Sequence, residues 1–280
     1  MSSDPTPLEE IEIHLLLEGI YRYHGYDFRN YASSSIKRRI TGFLTAENLS
    51  TVSALQNRVL HDRECFDRFV RSLTVNVTSM FRDPSFYLAF RNHVIPTLRT
   101  YPFIRIWHAG CSTGEEVYSM AILLQEEGLY DRCRLYGTDA NEQVLQTAKQ
   151  GIYPLRMMKA YTQLYLKSGG VRSFSEYYTA AYEEAILRAS LKKNIVFAQH
   201  NLVTDGSFNE FNVICCRNVL IYFNQTLQTR VHNLFYDSLC PFGVLGLGQQ
   251  ESIKFTQHSA RYQELSPLDK LYRKVDSVDR

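Results

Sequence analysis

Long apolar runs are missing from this chain. No stretch approaches the roughly 18 apolar residues that span a bilayer, so a transmembrane helix is excluded. The opening MSSDPTPLEE is acidic and polar, unlike the basic start of a signal peptide, and a cytoplasmic location is the expectation. Cysteine and histidine lack metal-site patterning. Cys65, Cys111, Cys133, Cys215, Cys216 and Cys240 show no CxxC spacing, and the histidines form no HxxxH pair. Neither a disulfide framework nor a metal is therefore expected. Charge of one sign is not in excess, with 31 Lys and Arg against 29 Asp and Glu, and a net charge of +2 gives no bulk attraction to nucleic acid. Asn76-Val77-Thr78 matches a glycosylation sequon, but without secretion it is only a pattern.

What is present fits a soluble globular protein. With 280 residues and a 45% apolar fraction, the chain is long enough for one large domain or for a large domain plus a small one. Thr6-Pro7-Leu8-Glu9 has the form of a capping box with proline at the first helical position. Ile13, Leu16, Leu17 and Ile20 then follow helical spacing. A second helix is expected from about Ser33, with Ile36, Ile40, Phe43 and Leu44 on one face, Arg38 opposite them, and Lys37 and Arg39 flanking. Helical segments around Val52–Leu60 and Glu64–Leu73 complete an all-helical domain over residues 1–75, with a linker segment and helix over 76–101.

After Pro102 strands and helices alternate. Strands are expected at Ile104–Ala109, Cys133–Thr138, Ile195–Ala198, Phe211–Cys216 and Val244–Gly248. The helix after Ile104–Ala109 points Val117, Met120, Ala121 and Leu124 inward. The one after Cys133–Thr138 stops at Gly151, and another runs from about Gln225 to Leu239. The alternation implies an α/β domain over 102–280, a parallel sheet covered on both faces. Residues 168–193, rich in aromatic and β-branched side chains, break the alternation. They read as a small antiparallel β insertion, with helix an alternative for Ala180–Ala189.

In such a sheet, ligands bind beyond the carboxyl ends of the strands. Ala109-Gly110-Cys111-Ser112-Thr113-Gly114-Glu115-Glu116 lies there. Its small residues allow a tight turn, and it is neither a GxGxxG fingerprint nor a P-loop. Two carboxylates would repel a pyrophosphate but suit the ammonium and sulfonium of S-adenosylmethionine. The plainer reading is that Glu115 and Glu116 complement the helix dipole. Asp139, ending the second strand, can accept hydroxyl protons of a ribose or cap the next helix. Arg217 and Asn218 abruptly end an apolar strand, as pocket residues do, or as a helix cap and a surface arginine would.

Taken together, LTVNVTSMFRDPSFY, WHAGCSTGEEVYSMAILL, GTDANEQVLQTAKQGIY, FAQHNL and FNVICCRNVLIYFNQTLQ resemble the CheR-type chemotaxis receptor methyltransferases, in the family's order and over nearly the whole chain. The resemblance implies an N-terminal helical domain, a Rossmann-like methyltransferase domain and an inserted antiparallel β subdomain. It implies methyl esterification of glutamates on the cytoplasmic helices of methyl-accepting chemotaxis receptors, with S-adenosylmethionine as donor and S-adenosylhomocysteine as product. It places Asn76, Thr78, Arg82, Gly110, Glu116, Asp139, Asn201, Leu202, Arg217 and Asn218 around the cofactor. Arg82 and Tyr222 would lie nearest the transferred methyl, and Lys37, Arg38 and Arg39 would meet the receptor helix. Two departures stand out: Gly248-Gln249-Gln250-Glu251 where relatives often read Gly-His-Ser-Glu, and Thr41-Gly42-Phe43 where they carry more arginine. Methylation of a different protein or a small acid, and a non-catalytic cofactor-binding module, are the competing readings. Base methylation is disfavoured, because no Asp/Asn-Pro-Pro-Tyr/Phe loop or Pro-Cys nucleophile occurs.

Overall fold

The computed structural model describes residues 7–73 and 78–275. The chain divides into two compact units, residues 1–75 with 221–228, and residues 76–220 with 229–280. In the first unit four helices, α1 (Leu8–His24), α2 (Ser33–Ala46), α3 (Val52–His61) and α4 (Arg63–Leu73), bury the stripes their spacing announces. Leu16, Leu17, Ile20, Ile36, Ile40, Phe43, Leu55, Val59, Phe66, Phe69 and Leu73 form one apolar cluster. The expected capping box is corrected in part. Pro7 is itself the N-cap of α1 and makes no side-chain capping bond, while Thr6 lies outside the described residues.

The second unit begins with helices α5 (Pro84–His93) and α6 (Ile95–Leu98). Then follow β1 (Ile104–Ala109), α7 (Glu115–Glu126), β2 (Cys133–Asp139), α8 (Glu142–Gln150), β3 (Ile152–Pro154), α9 (Met158–Lys167), β4 (Tyr178–Ala181), β5 (Glu184–Leu187), α10 (Ala189–Lys192), β6 (Ile195–Gln199) and β7 (Phe211–Cys216). Helix α11 (Gln225–Ser238) leads into β8 (Leu239–Leu247), β9 (Tyr262–Ser266) and β10 (Leu271–Lys274). The main sheet has the order β6-β2-β1-β7-β8-β10-β9. Its first five strands are mutually parallel, and β10 runs antiparallel to both β8 and β9. The sheet is thus mixed, a correction to the all-parallel expectation. Strand β1 is buried along nearly its whole length, as a central strand with both faces covered must be.

Two further expectations change. The segment Ala180–Ala189 is not a helix: β4 and β5 pair there as a hairpin, with Tyr178 opposite Leu187. Strand β3 joins this hairpin to make a three-stranded sheet, and it lies ahead of the 168–193 bounds. Strand β8 also starts earlier than Val244, directly after α11.

One charged knot fastens α5, α7 and the segment around β4. Glu126 is almost wholly buried and accepts from Arg91, Tyr165 and Tyr177, while Arg91 Nη1 also meets Glu127 at 2.6 Å. Removing the cation would leave a buried carboxylate without its counter-charge, which typically costs about 3–5 kcal/mol. Arg91→Met is therefore expected to lower the unfolding free energy by about 3 kcal/mol in urea titrations. An unchanged denaturation midpoint would contradict this account.

Candidate active site

Strand order reverses between β1 and β7: the chain goes from β1 to β2 on one side and returns to place β7 on the other. That reversal opens a crevice at the carboxyl ends of the strands, where open α/β sheets hold ligands. The turn after β1 occupies it. Gly110 N and Cys111 N both donate to the Thr138 carbonyl at 2.8 Å, clamping the turn to the end of β2. Gly110 has φ +75°, and a Cβ there would fall 2.5 Å from Val219 Cγ2, so the position needs glycine twice over.

The two carboxylates of the turn part ways. Glu115 faces inward, accepts from Thr113 Oγ1 at 2.7 Å, and its carboxyl is pushed up by burial. The two carboxylates therefore answer to different partners, Glu115 to Thr113 and Glu116 to His108 and Arg217. Glu116 Oε1 accepts from His108 Nδ1 and Oε2 from Arg217 Nη1, each at 2.9 Å. Burial raises the Glu116 carboxyl, but its two partners outweigh that and hold it below the usual carboxylate range.

Arg217 is not a surface arginine. Its side chain is 1% exposed. Nη2 reaches Asp83 Oδ2 at 2.8 Å and the Arg82 carbonyl at 3.0 Å, and the guanidinium lies 4.1 Å from the Phe86 ring centroid. Neither is Asp139 a helix cap: Asn141 caps α8, accepting from Gln143 N at 2.9 Å. Asp139 instead takes Asn141 N on Oδ1 at 2.9 Å and Ser112 N on Oδ2 at 3.0 Å. Each oxygen keeps a lone pair for a hydroxyl donor. Burial pushes the Asp139 carboxyl up.

Glu251 is a residue the sequence reading passed over. Its buried carboxylate accepts from four backbone N–H groups: Asn218 at 3.0 Å, Val219 and Leu220 at 2.8 Å, and Gly248 at 2.6 Å. Those bonds fix the turn after β7, where Asn218 takes φ 61°. A Cβ on Gly248 would sit 2.7 Å from Glu251 Oε2, so the glycine admits the carboxylate. The signal was in Gly248-Gln249-Gln250-Glu251, whose glutamate remains although the histidine is absent.

The other expected site residues are placed as follows. Thr78 and Arg82 are half-buried on the segment before α5. Asn201 spends its side-chain oxygen on Val203 N at 2.9 Å, and Leu202 is buried. Asn76 lies outside the described residues. Tyr222 belongs with the helical unit, where its carbonyl accepts from Ala32 N at 2.8 Å and its ring lies 4.6 Å from the Arg39 guanidinium carbon. Arg38 is exposed, and Lys37 pairs with Glu9 at 2.6 Å.

Comparison with known proteins decides the family. Residues 76–267 match the CheR methyltransferase S-adenosylmethionine-binding domain, and residues 11–74 match the CheR all-alpha domain. The chain belongs to the CheR family. It is similar to Cher3 of Pseudomonas putida, 53% identical over 95% of this chain and 97% of that one. It is also similar to the chemotaxis protein methyltransferases of Listeria monocytogenes (31% identical; 82% and 85% covered) and Salmonella typhimurium (28%; 94% and 92%). This CheR protein is an S-adenosylmethionine-dependent methyltransferase with an N-terminal all-alpha domain. The crevice suits that cofactor. Ser112 Oγ and Arg217 Nε are buried and have no protein hydrogen-bond partner. Among the described residues no helix is long and apolar enough to cross a membrane.

Glu251→Gln would set an amide NH2 against backbone N–H donors that now share a carboxylate. It is expected to cost about 2 kcal/mol of stability and to speed hydrogen exchange at the Asn218, Val219 and Leu220 amides. Exchange at those three sites as slow as in the unaltered chain would show that the carboxylate does not hold the turn.

Proposed function

We propose that this chain methyl-esterifies glutamate side chains on the cytoplasmic helices of chemoreceptors. The observation carrying this reading is the buried Arg217 paired with Glu116, with Asp139 at the end of β2, in a chain matching both CheR domains. S-adenosylmethionine supplies an electrophilic methyl group on a sulfonium. Asp139 would accept the ribose hydroxyls, Glu116 would face the cationic end, and Gly110 would let the backbone approach. Thr78, Arg82, Asn201, Leu202, Arg217 and Asn218, with Asn76, would complete the cofactor's surroundings.

A glutamate acceptor is already ionised at neutral pH, so its oxygen needs no general base. The demand on the protein is alignment. Arg82 would hold one carboxylate oxygen and leave the other free; a bidentate clamp would stabilise the ground-state anion, whose charge vanishes as the ester forms. Tyr222 would have a positioning role. In the helical unit, Arg39 covers the Tyr222 ring, which supports assigning α2 with Lys37, Arg38 and Arg39 to the acceptor helix.

Incubation with labelled S-adenosylmethionine and a receptor cytoplasmic fragment should put alkali-labile label on the fragment. Cofactor binding without transfer would overturn the enzymatic reading, and label only on another protein or a small acid would replace the acceptor. Arg82→Ala should lower turnover on the order of 100-fold while changing S-adenosylhomocysteine affinity far less; equal losses would contradict its assignment to the acceptor.

Asp139 gives a pH test. Hydroxyl donors need the ionised carboxylate, and burial raises its pKa above the ordinary 3.8. Affinity for S-adenosylhomocysteine should therefore be steady near neutrality and fall on acidification, beginning at a higher pH than for an ordinary aspartate. Asp139→Asn should weaken binding about tenfold and flatten that part of the profile. Calorimetry across pH measures both.

A further inference from the structure

His108 and Cys215, which the methyl transfer does not use, form a cluster with Glu116. His108 stands opposite Cys215 in the β1–β7 register, and Glu116 reaches the pair from α7. One ligand-capable atom from each lies within 4.8 Å of the others. His108 is fully buried, and its Nε2 has no hydrogen-bond partner. An imidazole with one nitrogen on a carboxylate and the other bare in the interior is poorly satisfied as a structural residue. Nδ1 is the nitrogen that faces Glu116, so an ion shared with that carboxylate would take Nδ1, and the ring proton would move to the bare Nε2.

We propose that His108, Glu116 and Cys215 bind a thiophilic divalent cation of the zinc class, entering past Glu116 and excluding the cofactor while it is bound. Imidazole, thiolate and carboxylate are the donor types such ions take, and three protein donors leave a fourth position for water. Charge favours a cation in spite of Arg217. With the Cys215 thiol neutral, Glu116 and Asp83 against Arg217 leave this corner one negative charge in excess. Coordination deprotonates the thiol, so one divalent ion enters, one proton leaves to solvent, and the corner becomes neutral. Of the three ligands only the Glu116 side chain keeps some exposure, 18% against 0% for His108. Entry is therefore from the Glu116 side, where the cationic end of the cofactor would meet the same carboxylate.

Cobalt(II) is the probe, because a cobalt–thiolate bond gives a charge-transfer band in the near ultraviolet. Titration of the chelator-treated full chain should raise that band to saturation at one equivalent. Cys215→Ala should abolish it while leaving S-adenosylhomocysteine affinity within about twofold, and saturating S-adenosylhomocysteine should suppress it in the unaltered chain. No band in the folded unaltered chain overturns the site. So does an equal band in Cys215→Ala, since another of the six cysteines would then be the ligand. A band that survives saturating S-adenosylhomocysteine overturns the exclusion. Cofactor affinity measured without metal stands apart from these outcomes, so failure of the site and failure of the methyltransferase reading are distinguishable. If Cys215→Ala does not fold, Cys215→Ser gives the same comparison with a far weaker donor, and the unaltered chain alone still decides whether the band exists.

Discussion

Burying the guanidinium of Arg217 is the constraint on which the rest of this site depends. A charge taken out of water costs several kcal/mol unless nearby groups replace the hydration it loses. Here the replacement comes from Glu116 at the start of α7, Asp83 and the Arg82 carbonyl before α5, and the face of Phe86. Three segments must arrive together for any one of them to be satisfied. Once they do, the end of β7, the glycine turn and the Arg82 segment have fixed positions. The backbone on the far side of Arg217 has a parallel device, in which Glu251 gathers the amides of Asn218, Val219 and Leu220. One buried cation and one buried anion thus hold the two flanks of the turn after β7.

Much of the scaffold was legible because its signals are local. Strands β1 and β7 occupy the residues their apolar runs mark, and α8 ends at Gly151, which takes φ 60°. Helix α7 buries Val117, Met120, Ala121 and Leu124 as its spacing requires. What escaped depends on partners distant in sequence. Strand β3 is only three residues long and gains its identity from β5. Strands β9 and β10 mix polar and apolar residues without strict alternation, and β10 is specified by pairing with β8 more than by its own composition.

The candidate site divides along the same line. Gly110 and Asp139 could be placed from the end of a strand alone. The environment of Arg217 could not, because its partners lie 101 and 134 positions away and nothing in CCRN distinguishes a buried arginine from an exposed one. Tyr222 shows the limit from another side. As the continuation of an apolar strand it reads as part of the α/β domain. Its carbonyl and ring nevertheless pair with Ala32 and Arg39, and the segment 221–228 groups with the helices. The two residues the resemblance assigns to the methyl therefore belong to different units of the fold, Arg82 to one and Tyr222 to the other.

The donors of the proposed metal site would leave no spacing signal in the sequence for the same reason. Spacing rules such as CxxC and HxxxH describe ligands carried on one turn or one helix face. His108 and Cys215 meet through the register of two parallel strands far apart in the chain, and Glu116 joins them from the helix that follows one of those strands. A parallel sheet can therefore assemble a soft donor set at its carboxyl edge with no linear trace. The same excess of negative charge that would admit a metal ion suits a cofactor with an ammonium and a sulfonium. Glu116 and Asp83 together bring one more negative charge than Arg217 neutralises.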